Sequence, residues 1–173
     1  MTNTNQASQI NQASQRSSLL VLGGARSGKS SFAEQQALCA LEACSNGRLH
    51  YIATATYLDD EMRERIAHHH QRRDELWAEH EVPVELADNL QSFDQDDVVL
   101  IDCLTLWLNN VIFELGDDAT NEQVEAVVEV LVKSVEQSPA QIIMVSNEVG
   151  LGVVPLGKVS RLFVDNAGRM NQS

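Results

Sequence analysis

The feature that most limits what this chain can fold into is the octet Gly23-Gly24-Ala25-Arg26-Ser27-Gly28-Lys29-Ser30, placed directly after the apolar run Leu19-Leu20-Val21-Leu22. The octet fits G-x-x-x-x-G-K-[ST], a loop that leaves a buried strand, wraps a phosphate chain and enters a helix. Gly23 and Gly28 allow the tight turns that bring backbone N–H groups up to phosphate oxygens. The helix expected from Lys29 to Cys44 adds the positive end of its dipole. Lys29 is placed to reach the β- and γ-phosphates, Arg26 adds a second cation, and the Ser30 hydroxyl is a candidate Mg²⁺ ligand. The sequence therefore predicts a nucleoside triphosphate site over Gly23, Gly24, Ala25, Arg26, Ser27, Gly28, Lys29 and Ser30.

The flanking pattern supports an α/β fold. Leu49 to Ala53, Val98 to Ile101 and Ile142 to Val145 read as further strands. Asn121 to Gln137 reads as an amphipathic helix, with Val124, Val127, Val128, Leu131 and Val135 at helical spacing. A charged run free of Gly and Pro, Asp59 to His80, is expected to be another helix, and the end of the chain to return to helix. Strands apolar on both faces and alternating with helices predict a mainly parallel sheet covered by helices on both faces. Residues 1–18 are almost entirely Asn, Gln, Ser, Thr and Ala, with Asn5-Gln6-Ala7-Ser8-Gln9 repeated as Asn11-Gln12-Ala13-Ser14-Gln15. They are expected to be a disordered polar tail ahead of one domain over residues 19–173.

Charge and cysteine count exclude several classes. Asp and Glu number 25 against 12 Lys and Arg, a formal net charge of −13. That balance disfavours general nucleic-acid binding, whose affinity grows with the number of cationic phosphate contacts. No apolar run approaches the roughly 20 residues of a spanning helix, so no membrane insertion is expected. Three cysteines, an odd number, suggest reduced thiols and a cytoplasmic protein.

Two further features bear on chemistry. Asp102 closes the strand that starts at Val98, where a carboxylate holds Mg²⁺ directly or through water. Glu148, soon after the strand that ends at Val145, falls at the same edge of the sheet, with metal, base and structural roles all open. In the run from Asp59, the residues Met62, Ile66, His69, Arg73 and Leu76 follow a 4-3-4-3 spacing and form one stripe. His69 and Arg73 interrupt that apolar stripe, and an inward guanidinium beside an imidazole calls for an anionic partner such as a nucleotide phosphate. A nearby cation also keeps the imidazole neutral and therefore nucleophilic. The alternative is a hydrogen-bonded core histidine. Metal binding by His68-His69-His70 is disfavoured, because neighbours on a helix point about a hundred degrees apart.

With these residues assembled, the chain from Leu19 to Gln172 resembles the bifunctional adenosylcobinamide kinase/adenosylcobinamide-phosphate guanylyltransferase family of cobalamin biosynthesis. The resemblance rests on the octet, on Tyr51-Ile52-Ala53-Thr54, on Asp59-Asp60-Glu61-Met62 and on Arg65-Ile66-x-x-His69-x-x-x-Arg73-x-x-x-Trp77. It continues through Glu81-x-Pro83, Asp102-Cys103-Leu104-Thr105-Leu106-Trp107-Leu108-x-Asn110, Asn147-Glu148-Val149-Gly150 and Gly168-Arg169-x-Asn171-Gln172. It implies a RecA-like P-loop NTPase fold and a two-step activity. The first step phosphorylates the aminopropanol hydroxyl of adenosylcobinamide with ATP or GTP. The second transfers GMP from GTP to that phosphate through a GMP-histidine intermediate, releasing pyrophosphate.

By the same resemblance His69 is the guanylylated residue. The nucleotide would contact the octet, Thr54, Ala55, Thr56, Arg72, Arg73, Glu81 and Asp102, with Mg²⁺ as cofactor. Family members form trimers in which neighbouring chains complete the sites, so a homo-oligomer is expected. They usually continue past the final Asn-Gln with the rest of a helix and a last apolar strand. The sequence stops at Ser173, either short of those elements or at a naturally shortened end; if the edge strand is missing, the neighbouring strand is exposed. Two rival readings are a different small P-loop kinase with a structural His69, and a RecA-like assembly module that hydrolyses nucleotide slowly.

Overall fold

The computed structural model describes residues 18–44, 46–55, 76–149 and 157–173. Five strands form one sheet: β1 (Leu19–Gly23), β2 (Arg48–Ala53), β3 (Trp77–Glu81), β4 (Asp97–Asp102) and β5 (Gln141–Asn147), in the order β1-β5-β4-β2-β3. Every pairing is parallel. The helices are α1 (Lys29–Glu42), the short α2 (Leu86–Asn89), α3 (Leu104–Leu115), α4 (Asn121–Gln137) and α5 (Lys158–Met170). This is a P-loop NTPase-like α/β architecture, as the alternation of apolar strands with helices requires.

Each face of the sheet has its own core. Val21, Leu49, Tyr51, Val98, Leu100, Ile143 and Val145 pack with Ala33 and Ala37 of α1. On the opposite face Ile52, Val99, Ile101 and Ile142 pack with Leu86, Trp107, Leu108, Val124, Leu131 and Met170 from the other four helices. Val98 to Ile101 are fully buried, the signature of a central parallel strand. Helix α4 spans the predicted residues because its start is fixed by a capping box. The Thr120 hydroxyl accepts from the Gln123 N–H at 3.3 Å, and the Gln123 side chain accepts from the Thr120 N–H at 2.9 Å.

One element differs from the sequence expectation. The helix expected from Asp59 to His80 does not run to its predicted end, because Trp77 to Glu81 form an edge strand in register with Leu49 to Ala53. Parallel pairing to β2 and the packing of Trp77 edge-on against Tyr51, with ring centroids 6.3 Å apart, outweigh the helical composition. Leu76 is correspondingly not part of an inward stripe: it sits in a turn and is 54 % exposed. The rest of that run, residues 59–75, lies outside the described residues.

Candidate nucleotide-binding site

The phosphate loop has the shape its sequence predicts. β1 ends at Gly23, where an added Cβ would come to 3.0 Å from the Ser27 hydroxyl, so any larger residue would have to push the loop's own side chain aside. Gly28 caps α1 in the left-handed region at φ 86°, a conformation glycine adopts without steric cost. Arg26 also has a positive φ, 57°, on the exposed outer side of the loop. Helix α1 starts at once, with the Phe32 N–H donating to the Gly28 carbonyl at 3.0 Å. The first N–H groups of a helix have no partner within it, and here they open toward the loop. The half-buried Lys29 donates from its ammonium back to the Gly24 carbonyl and, at 3.5 Å, to the Ser27 hydroxyl. It thus spans the loop mouth, where a phosphate oxygen can replace the carbonyl as its acceptor.

Strand register carries the site across the sheet. Val21, Val145, Asp102, Ala53 and Glu81 form one row over the five strands. Alternation points this row to the α1 face, the same face as Tyr51 and Leu100. The carboxylates of Asp102 and Glu81 therefore flank Ala53 on one face near the carboxyl edge. Their backbones are separated by two strand spacings, about 9–10 Å. Parallel α/β sheets collect ligands at that edge. The Tyr51 hydroxyl donates to Asp102 Oδ2 at 3.2 Å, fixing the carboxylate over β4.

The loop after β2 is equally constrained. Thr54 is fully buried. Its N–H donates to the Asp102 carbonyl at 3.3 Å, and its hydroxyl donates to the Cys103 carbonyl at 2.8 Å. The same hydroxyl accepts from the Cys103 N–H at 2.9 Å. Beside the phosphate loop, the Glu148 N–H donates to the Gly23 carbonyl at 3.1 Å, while the Glu148 side chain is exposed. Cys103 is buried, and burial, reinforced by the Asp102 charge, pushes its thiol up to about 11. It is therefore a protonated packing residue and not a nucleophile.

Of the residues expected at the site, the structure brings Gly23 to Ser30, Thr54, Ala55, Glu81 and Asp102 to one edge of the sheet. Thr56, His69, Arg72 and Arg73 lie outside the described residues. The Ser30 hydroxyl at the start of α1 and the Asp102 carboxylate are hard oxygen donors of the kind Mg²⁺ takes, one or two from protein and the rest from phosphates and water. A carboxylate has about four acceptor sites, so the Tyr51 bond does not consume Asp102. Sequence reasoning assigned no role to Asn110, whose side chain bridges the loop after β2 to the loop after β3. Its three-residue spacing from Trp107, on the same helix face, was the available signal.

Comparison with known proteins agrees with this geometry. Residues 19–173 match a family model described as cobinamide kinase / cobinamide phosphate guanyltransferase. The chain is 46% identical over 155 residues to a Pseudomonas aeruginosa protein named bifunctional adenosylcobalamin biosynthesis protein CobP, covering 89% of this chain and 84% of that protein. It is 40% identical over 164 residues to bifunctional adenosylcobalamin biosynthesis protein CobU of Escherichia coli, and 38% identical over 165 residues to its namesake in Salmonella typhimurium. Each of those alignments covers 89% of this chain and 87% of the relative.

Proposed function

The chain belongs to the cobinamide kinase / cobinamide phosphate guanyltransferase family, and from that premise we propose how its residues divide the work of two transfers in adenosylcobalamin biosynthesis. In the first, the γ-phosphoryl group of ATP or GTP passes to the side-arm hydroxyl of adenosylcobinamide. In the second, GMP passes from GTP to the new phosphate, giving adenosylcobinamide-GDP and pyrophosphate. The observation that supports this reading most is the phosphate loop with Gly28 in the left-handed region, followed across the sheet by Asp102 and Glu81 in one row.

Both steps need the triphosphate held and its charge neutralised. The loop N–H groups and the start of α1 bind the phosphate chain, and Lys29 exchanges its Gly24 contact for phosphate oxygens. Ser30 and Asp102 would hold Mg²⁺, which supplies further neutralisation of the departing phosphates. His69 then attacks the α-phosphorus. A bond from its ring nitrogen to phosphorus forms as the bond to pyrophosphate oxygen breaks, and Arg73 balances the developing charge. A phosphate oxygen of the acceptor next displaces the histidine, which leaves with its original bonding restored. Splitting the transfer this way keeps two polyanions from having to meet in one step. Arg72, Thr56, Ala55 and Glu81 complete the nucleotide contacts.

No helix among the described residues is long and apolar enough to cross a membrane, and the proposed setting is the cytoplasm. A homotrimer is the proposed assembly, to be checked by light scattering. The activity is tested by supplying adenosylcobinamide with ATP or GTP singly and separating the corrinoid products. The phosphorylated corrinoid should form with at least one nucleotide, and the GDP derivative only when GTP is present. Unchanged adenosylcobinamide under all conditions would overturn the reading.

A further inference from the structure

We propose that Asn110 is a positioning residue for nucleotide binding: its amide sets the spacing between the ends of β2 and β3, and through them the placement of Thr54, Ala55 and Glu81. The proposal rests on the nucleotide-binding reading above.

The β2–β3 ladder runs out just where the site begins. Its last register pair is Ala53 with Glu81, and the final rung is the Val82 N–H donating to the Ala53 carbonyl at 2.9 Å. The ladder ends there, where the chain bends at Pro83 and Val84. A side chain takes over there. Asn110 Nδ2 donates to the Thr54 carbonyl at 2.8 Å and to the Pro83 carbonyl at 3.1 Å, committing both hydrogens of the amide. One turn earlier on α3, the Trp107 indole N–H donates to the Val84 carbonyl at 2.7 Å. Helix α3 therefore ties the two segments that carry Thr54-Ala55 and Glu81, after strand pairing has ended.

Packing alone does not call for an asparagine here. α3 buries Leu104, Trp107, Leu108, Val111 and Ile112, and Asn is a poorer helix former than Leu or Ala. Desolvating an amide is repaid only when its hydrogen bonds are made. The side chain is placed to satisfy two carbonyls on separate segments, and both segments border the nucleotide.

The test compares GTP affinity by calorimetry with the urea midpoint of the full chain. Asn110→Ala removes the bridge, and Asn110→Asp keeps its size but presents acceptors only to two carbonyls. Val111→Ala, from the adjacent core position, supplies a loss of stability that touches neither carbonyl. The Asn110 variants should raise the GTP Kd about five- to tenfold, the equivalent of about one lost hydrogen bond, while Val111→Ala stays within twofold of the parent. If Asn110→Asp does not fold, Asn110→Ala decides. Asn110 variants that bind GTP no more weakly than Val111→Ala would overturn the positioning role and leave the family activity standing. A parent chain that does not bind GTP would overturn the nucleotide reading and this proposal with it.

Discussion

The Thr54 hydroxyl donates to the Cys103 carbonyl at 2.8 Å and accepts from the Cys103 N–H at 2.9 Å, so one buried side chain joins the ends of β2 and β4. Through this exchange the loop after β2 is locked to the strand that carries Asp102. Thr54→Val keeps the shape but takes the hydroxyl from the buried Cys103 N–H, while the Cys103 carbonyl keeps the Trp107 N–H at 3.1 Å. It should cost about 2–3 kcal/mol in urea unfolding and weaken GTP binding. Thr54→Ser retains the hydroxyl, and its main loss is one methyl group, about 0.8 kcal/mol.

Lys29 is half-buried and bonded only within its own loop among its described contacts, so replacing it should leave the fold intact. Lys29→Ala removes the cation that both transfers share. It should reduce corrinoid phosphorylation and guanylyl transfer alike, each by a hundredfold or more, since one charge stabiliser in a transition state is worth about 2.7–4 kcal/mol. Retention of either activity would show that the two steps use separate phosphate sites.

The three cysteines should differ in reactivity. Cys39 is exposed, Cys44 partly so, and Cys103 is buried with its thiol raised to about 11 by burial and by the Asp102 charge. A chromogenic disulfide reagent at pH 8 should label Cys39 first and Cys103 last, with Cys103 released only on unfolding.

Stability should fall on mild acidification because of a histidine pair at the β2–β3 edge. His50 Nδ1 and His80 Nε2 are 3.0 Å apart, His50 Nε2 lies 3.3 Å from Asp97, and Phe93 packs against both rings. Burial, and then the charge of His50, hold His80 below its ordinary value. Between that lowered value and about 6.5 the unfolded chain binds a proton that the folded chain refuses. The contribution is thus full above pH 6.5 and declines as the pH falls toward the folded value. Urea midpoints from pH 8 to 5 should show this fall, and His80→Asn should flatten it.

Which parts of this molecule were legible in the sequence follows from where the determinants lie. The phosphate loop and the central strands are encoded locally, by glycine positions and by apolar runs, and α4 by its capping box and period. Strand β3 was hidden because it is an edge strand whose Glu79, His80 and Glu81 match the composition of a charged helix; pairing to β2 decides it. α3 gave little periodic signal, since apolar Phe113 lies on its exposed face opposite the buried Leu104, Trp107, Leu108, Val111 and Ile112. The role of Asn110 depends on carbonyls 56 and 27 residues away. Backbone partners of that kind leave no residue-type signature.

If GMP passes through His69, the protein carries a covalent nucleotide on that residue between the two half-reactions. The direct measurement is to incubate the protein with GTP labelled at the α-phosphate, quench, and follow covalent label on the parent and on His69→Ala. Acid-labile, alkali-stable label is expected on the parent and none on the variant. Label of the same stability persisting on His69→Ala would contradict it.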